Sequence, residues 1–372
     1  VLAVLALASF FLLAFPVRIL ECDAVVFADG ALHKDPAVMS YPHHLGYNLL
    51  QYVAALAGRT MAPPMSPIYI LQYLSIAAGL AGILVFYRLL IRLRVSSSRA
   101  VVCSGALAFS YAYWHYSAQA DTHVVTALLL IWFLSRFERF LKSPSVGAGA
   151  LSGIILGLAT LMHQSNILLL AAVLASVLVA GRRRRGLFGP TGVLVALVFA
   201  VAVVPYPIIG RTLAGARTPG EFREWIMGIS EWGAWGNWRL ELVPATLLGL
   251  IRSFIGSHYL LDFKSIASLA DRLFPMASLE DEMAIAGAVR NWLRAPLLLA
   301  EVGVLALALA ALFKAPARFK HLFSADRPFA VFLLVWLAVY GVFFAWWAPE
   351  RVEFWIAWLI PLLVVLAWPV RS

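Results

Sequence analysis

Groups able to move protons or bind anions are scarce in this chain and gather in a few places. Glu21-Cys22-Asp23 closes the first apolar run. His43 and His44 follow a Tyr-Pro pair. Asp121 and His123 sit two apart, His163 ends another apolar run, and Glu350, Arg351 and Glu353 crowd one turn near the C-terminus. A carboxylate held at the rim of a low-dielectric medium keeps its proton more tightly, which suits a general base, so Asp23 is the first candidate for proton abstraction. Asp29 and Asp35 read as solvated loop acids. His115, Asp121 and His123 are metal-ligating types, but their spacing is not diagnostic of a metal site. Cys22 and Cys103 are too far apart to form a redox or zinc motif.

The elements that position these groups follow from composition. The 372 residues are 62% hydrophobic and only 13% charged, and mean hydropathy is +0.86. Soluble domains carry roughly 25% charged residues, and a single core of this size could not bury so many apolar side chains. A disordered chain, a soluble nucleic-acid binder and a disulfide scaffold are excluded. What remains is an all-α polytopic membrane protein. A span needs about 20 mostly apolar residues. Ten segments qualify or nearly do: 1–20, 66–91, 100–114, 122–141, 147–162, 164–181, 191–210, 296–314, 328–347 and 354–370. The chain starts at Val1, so a preceding segment is expected.

The net charge of +10 is unevenly shared. One set of loops holds Arg88, Arg92, Arg94, Arg99, Arg136, Arg139, Lys142, Arg182 to Arg185, Lys314, Arg318, Lys320, Arg327 and Arg371, with only Glu138 and Asp326 beside them. The opposite side is slightly acidic. Basic loops stay in the cytoplasm, so both chain ends are expected inside and the long loops 21–65 and 211–295 outside. Seven of the eight histidines, all but His321, then fall on the outer side or at outer span ends. Histidine also tolerates a membrane interface, so each taken singly has that plainer explanation. Residues 243–261 could pass for a span, but Arg252 would cost about 2.5–3.5 kcal/mol at mid-membrane, and crossing would turn the basic loop 314–320 outward. Three parts result: a transmembrane module over 1–210, an outer and partly interfacial region over 211–295, and C-terminal transmembrane helices over 296–372.

Within the outer loops, Leu45, Leu49, Tyr52, Val53 and Leu56 recur at helical spacing and predict an amphipathic helix lying in the interface. Phe222, Trp225, Ile226, Ile229 and Trp232 form a second stripe, followed by Trp235 and Trp238. An aromatic belt at headgroup level and a platform for a sugar or lipid tail are both open readings. Gly149, Gly153 and Gly157 repeat every four residues, a signal of close helix packing.

Taken in order, these residues resemble the GT-C fold glycosyltransferases that use polyprenyl-phosphate-linked sugars. The chain is most similar to the DUF2723 group, the protein O-mannosyltransferase-like family. The resemblance rests on an acid at the end of the first span, on Pro42-His43-His44-Leu45-Gly46-Tyr47-Asn48-Leu49, on Trp114 with Ala120-Asp121-Thr122-His123, on Gly157-Leu158 before His163, and on Glu353-Phe354. The prolines that follow the first histidine in the family are His44 and Leu45 here, Asp121 stands for a glutamate, and a second early acid would fall near Val26.

The resemblance implies a GT-C-like helical bundle that transfers a sugar from a polyprenyl-phosphate donor to a hydroxyl of a protein, lipid or glycan acceptor. Asp23 would be the base of an inverting displacement. Arg351, and less directly Arg252 and His258, would assist the departing phosphate, while His43, His44, Tyr47, Asp121, His163 and Glu353 would line the donor and acceptor site. No cofactor is implied; a divalent metal is conceivable, but no ligand set supports one. Membrane lipids are the other expected partner, and the expected location is a bacterial inner membrane with the site on the periplasmic side. The competing reading is a transporter or flippase of a lipid-linked or small polar substrate. Such a protein would place ionisable groups near the midplane, where Glu301 is the main candidate.

Overall fold

A computed structural model describes residues 1–14, 22–33, 39–61, 66–181, 185–227, 242–255 and 313–368, with isolated positions between 238 and 310. In chain order the helices are α1 (Leu2–Ala14), α2 (Cys22–His33), α3 (Leu45–Met61), α4 (Pro67–Arg92), α5 (Ser97–Ala108), α6 (Tyr111–Ser117), α7 (Thr122–Lys142) and α8 (Val146–Met162). There follow α9 (Leu169–Gly181), α10 (Phe188–Ala202), α11 (Pro205–Thr212), α12 (Pro219–Met227), α13 (Leu242–Ile255), α14 (Ala315–Ala325), α15 (Arg327–Trp347) and α16 (Val352–Ala367). Short 3-10 turns, Pro42–His44 and Gln164–Leu168, lead into α3 and α9. No strand occurs among the described residues. The stretches Ile68–Arg92, Phe188–Thr212 and Arg327–Trp347 are long and apolar enough to cross a membrane, and several shorter apolar helices accompany them.

Polar residues punctuate the apolar runs. Asp121, Ser145 and Asp326 each accept a backbone N–H at the start of α7, α8 and α15, satisfying donors that a helix N-terminus leaves open. The expected span over 100–114 is two helices, because Ser110 takes an extended backbone and its hydroxyl donates to the Leu107 carbonyl at 2.8 Å, closing α5. Asp23 and Asp29 lie on a helix rather than in an irregular loop. The segment 296–314, Glu301 included, falls largely outside the described residues.

The bundle is held by packing of two kinds. Aromatic side chains of α7 and α15 form a spine through Phe133, Phe137, Phe329, Phe332, Trp336 and Tyr340, all buried. Between α8 and α10 the glycine repeat does what its spacing predicts. A Cβ on Gly153 would sit 2.5 Å from the Leu194 carbonyl oxygen and 2.9 Å from its Cα, and Gly149 is equally tight against Pro190. Apolar tails solvate the outside of both helices, so close backbone approach rather than water exclusion drives this contact. Gly153→Leu is expected to lower stability by about 1–3 kcal/mol, the usual cost of overpacking. Thermal unfolding in detergent measures it, and an unchanged midpoint would refute the contact.

Helix α3 shows its environment directly. Its apolar residues Leu49, Val53 and Leu56 face outward, whereas Tyr47, Asn48 and Gln51 are buried. In water this would be inside out; along a bilayer interface it is the expected arrangement. The basic residues collect at one end of the bundle. Arg92 donates to Glu138 at 3.0 Å and to the Ser135 carbonyl at 2.7 Å, and Lys142 pairs with the same carboxylate. Arg99 and Arg318 donate to carbonyls at the end of α16. One of the two acids among the basic loops is therefore a buried partner of two cations.

Candidate functional site

Four chain segments meet at the opposite end: the turn before α3, the α6–α7 turn, the 3-10 turn after α8, and the α15–α16 turn. They bring three imidazoles together. The rings of His44 and His163 are 5.0 Å apart between centroids, His123 and His163 5.4 Å, and His44 and His123 6.3 Å. Phe354 lies edge-on to His123 at 5.3 Å and to His163 at 5.6 Å, and itself stacks on Trp347 at 4.9 Å.

Local bonds fix the ring orientations. His44 Nδ1 is 3.3 Å from the Met162 carbonyl oxygen, which can only accept, so Nδ1 carries the proton. Thr122 donates to the same carbonyl at 3.1 Å. Ser165 Oγ lies 2.7 Å from His163 Nδ1. Asp121 accepts the His123 backbone N–H at 2.9 Å, and its carboxylate is 3.7 Å from His123 Nε2. Tyr116, edge-on to His123 at 5.5 Å, donates its hydroxyl to the buried Glu353 carboxylate at 2.9 Å. A small cavity of about 20 Å³, lined among others by His123, His163, Ser165 and Glu353, adjoins the cluster. That is room for a water molecule.

The residues singled out from sequence are distributed as follows. His44, Asp121, His163 and Glu353 belong to this constellation. His43 is buried one residue away, ring-to-ring with Tyr41 at 5.8 Å. Tyr47 is buried on α3; burial, then the Asp121 charge, raises its hydroxyl well above the usual phenol range. Arg351 precedes α16, exposed, with its charge felt at His123. Arg252 is buried on α13 and donates to the Glu350 carbonyl at 3.2 Å, so it braces the α15–α16 turn. Only the backbone of Asp23 is described, in the first turn of α2. Its neighbour Ala24 shares a buried cluster with Ala28, Leu71 and Ala120, which brings that helix beside the Asp121 turn. His258 lies outside the described residues, as do Trp232, Trp235 and Ile229. The rest of the second aromatic stripe forms α12, where Phe222, Trp225 and Ile226 pack with Leu45, Leu161 and Tyr206. Trp225 donates to the Ser40 carbonyl at 2.9 Å, clamping the histidine turn. Tyr116 and Ser165, both central, carried no sequence signal beyond proximity to His115 and His163.

Among the described residues, no three His, Cys, Asp or Glu side chains are arranged to hold a metal ion. His43 Nε2, Asn48 Oδ1 and Glu350 Oε2 are buried and find no hydrogen-bond partner there. Such atoms are where a water or a ligand would be expected to bond. Burial lowers His43 to about 4; burial and then the His43 charge lower His44 to about 4. His163 is also held well below 6.5, by burial first and by its neighbouring histidines. The imidazoles are therefore neutral hydrogen-bonding groups at pH 7. Because the unfolded chain binds the His43 and His44 protons near pH 6.5 and the folded chain only near pH 4, the stability they contribute is full above about pH 6.5 and falls as pH drops toward 4. For His43 the loss is expected to be about 3 kcal/mol, at about 1.36 kcal/mol per unit. Unfolding midpoints from pH 7.5 to 4 should decline in the wild type and less steeply in His43→Asn; parallel declines would contradict the assignment.

Residues 49–209 match the family described as dolichyl-phosphate-mannose-protein mannosyltransferase. That stretch holds α4 to α10 and, with them, Asp121, His123 and His163. No curated protein matches the chain. Among solved structures, the chain is similar to the Archaeoglobus fulgidus oligosaccharyltransferase in complex with Zn and sulfate, with a TM-score of 0.52 and 16% identity. The alignment covers 98% of this chain and 48% of that one, so this chain spans about half its relative's length. The same archaeal enzyme tethered to an acceptor peptide containing the NVT sequon aligns with a TM-score of 0.49 and 16% identity, over 98% of this chain and 49% of that one. The chain is a multi-pass membrane protein with the GT-C glycosyltransferase fold, similar over residues 49–209 to the dolichyl-phosphate-mannose-protein mannosyltransferases.

Proposed function

We propose that this chain transfers a sugar from a polyprenyl-phosphate donor to an acceptor hydroxyl on the outer face of a bacterial inner membrane. The observation that carries the reading is the convergence of His44, His123 and His163 from three separate segments onto Glu353 and Phe354, at the bundle end opposite Arg92, Arg94 and Lys142. By the charge rule the basic end stays in the cytoplasm, so the histidine end faces the periplasm.

In the displacement, the acceptor oxygen bonds to the anomeric carbon as the bond from that carbon to the phosphate oxygen breaks. The acceptor proton passes to the Asp23 carboxylate, and the electron pair leaves with the polyprenyl phosphate. Phosphate is already a good leaving group, so the reaction needs one base and a cation near the departing oxygen. Arg351 would take the second task. The neutral imidazoles of His43, His44 and His163, with Tyr47, Asp121 and Glu353, would orient sugar hydroxyls and exclude water. The acceptor is a hydroxyl of protein, lipid or glycan; the description of the matched family favours protein. This scheme requires no metal.

The test is incubation of the purified full chain with radiolabelled polyprenyl-phosphate sugars and membrane extract, with and without chelator. Transfer that persists with chelator is the expected result. No transfer from any donor, together with substrate-dependent uptake into vesicles, would replace this reading with a transporter.

A further inference from the structure

The end of the bundle opposite the histidines contains a cavity of about 490 Å³. Its volume falls in the range of ordinary ligand pockets. Arg92 and Arg94 from the end of α4, Lys142 from the end of α7, His321 and Asp326 from α14 and its following turn, and Trp368 after α16 line it. The helices α4 and α15, each long enough to span the membrane, end or begin at this cavity, so it opens at a bilayer surface.

The charge inside it is positive. Arg92 and Lys142 share one carboxylate, Glu138, buried beneath them. Asp326 is directed to the start of α15, where it accepts the Phe329 backbone N–H. Arg94 adds a further cation, and His321 another when protonated. Basic pockets between transmembrane helices are the usual receptacles for anionic headgroups, and a guanidinium fork matches phosphate oxygens two at a time.

A second observation is independent of the cavity. Arg94 has φ 62°, the one non-glycine residue with positive φ among those described. It closes α4 in a paired-bond cap: its own N–H donates to the Ile91 carbonyl at 2.9 Å and the Val95 N–H to the Leu90 carbonyl at 3.1 Å. Glycine is the residue favoured at that position, because an L side chain is disfavoured in left-handed backbone. The chain keeps an arginine there, and that arginine lines the cavity. A side chain retained against a backbone preference points to a use for it.

We infer that this cavity is a binding site for a phosphate anion, the headgroup of an anionic membrane lipid or a soluble phosphate ester. The cations at this end then do more than set orientation: they hold a ligand between α4, α7, α14 and the end of α16. This inference does not depend on the transfer reaction.

The detergent-solubilised full chain is titrated with phosphatidylglycerol and with phosphatidylcholine, and bound lipid is counted by native mass spectrometry. Phosphatidylglycerol should bind at least fivefold more tightly. Arg94→Gly and Lys142→Gln should each weaken it about fivefold, and the double variant about 25-fold, leaving phosphatidylcholine unchanged; this is about 1 kcal/mol per cation converted at 1.4 kcal/mol per factor of ten. The unfolding midpoint of Arg94→Gly should equal or exceed the wild type, since glycine suits the cap. Should Arg94→Gly unfold, Lys142→Gln carries the test alone. Displacement of the lipid by glycerol phosphate at similar affinity would identify a soluble ester as the ligand, and failure to displace would identify the lipid. Equal binding of the two lipids without displacement by glycerol phosphate, or unchanged phosphatidylglycerol affinity in the folded variants, would overturn the inference.

Discussion

Asp23→Asn is expected to lower sugar transfer by about 10²–10⁴-fold, the range that a positioned general base contributes. The substitution keeps the shape and hydrogen-bonding reach of the side chain but removes its capacity to take a proton. Asp23 occupies the first turn of α2. Ala24 shares a buried cluster with Leu71 and Ala120, the residue before Asp121. The matched control is Asp29→Asn. Asp29 is exposed one and a half turns further on and pairs with His33 at 3.0 Å, so its loss should leave transfer within twofold, as for any surface pair. Transfer is measured on purified variants with equal unfolding midpoints. Near wild-type transfer by Asp23→Asn would remove it from the mechanism.

Gly249→Ala should have the second largest effect. A methyl group there would collide with the Pro349 carbonyl oxygen and lie 2.7 Å from the Trp355 indole nitrogen. Backbone cannot rotate away as a flexible side chain can. Two bonds also secure this contact: Trp355 to the Pro349 carbonyl at 2.9 Å and Arg252 to the Glu350 carbonyl at 3.2 Å. Pushing α13 outward therefore moves the turn that carries Arg351 and Glu353. Displacement of a reacting arrangement by about 1 Å can cost about 10²-fold, while the stability cost of overpacking is about 1–3 kcal/mol. Transfer should fall about 100-fold with the bundle still folded. Gly105→Ala, whose added methyl meets nothing within 4 Å, is the control and should be neutral. Equal activity of the two variants would show that the α15–α16 turn is not part of the site.

Much of the bundle is legible in the sequence. Apolar runs, the glycine repeat of α8 and the amphipathic stripe of α3 are local patterns, and local patterns suffice where lipid is the solvent. The breaks were harder to see. Nothing in Phe109-Ser110 differs enough from its neighbours to announce the end of α5, and the acids of α2 masked a helix behind the composition of a loop. Arg252 weighed against a membrane crossing for 243–261. The structure describes 242–255 as helix, with Arg252 buried on it.

Read alone, residue types and spacing establish a multi-pass helical membrane protein with its excess of positive charge on one side and all of its histidines but His321 on the other. They say so because hydropathy and charge act over a few residues at a time. Which groups touch was settled by packing between distant segments. Tyr116 reaches Glu353 across 237 positions, Trp225 reaches Ser40 across 185, and His44 reaches the Met162 carbonyl across 118. No local pattern encodes contacts at that separation. They exist because the helix ends that carry them are brought to one rim of the bundle, where buried polar groups must find one another.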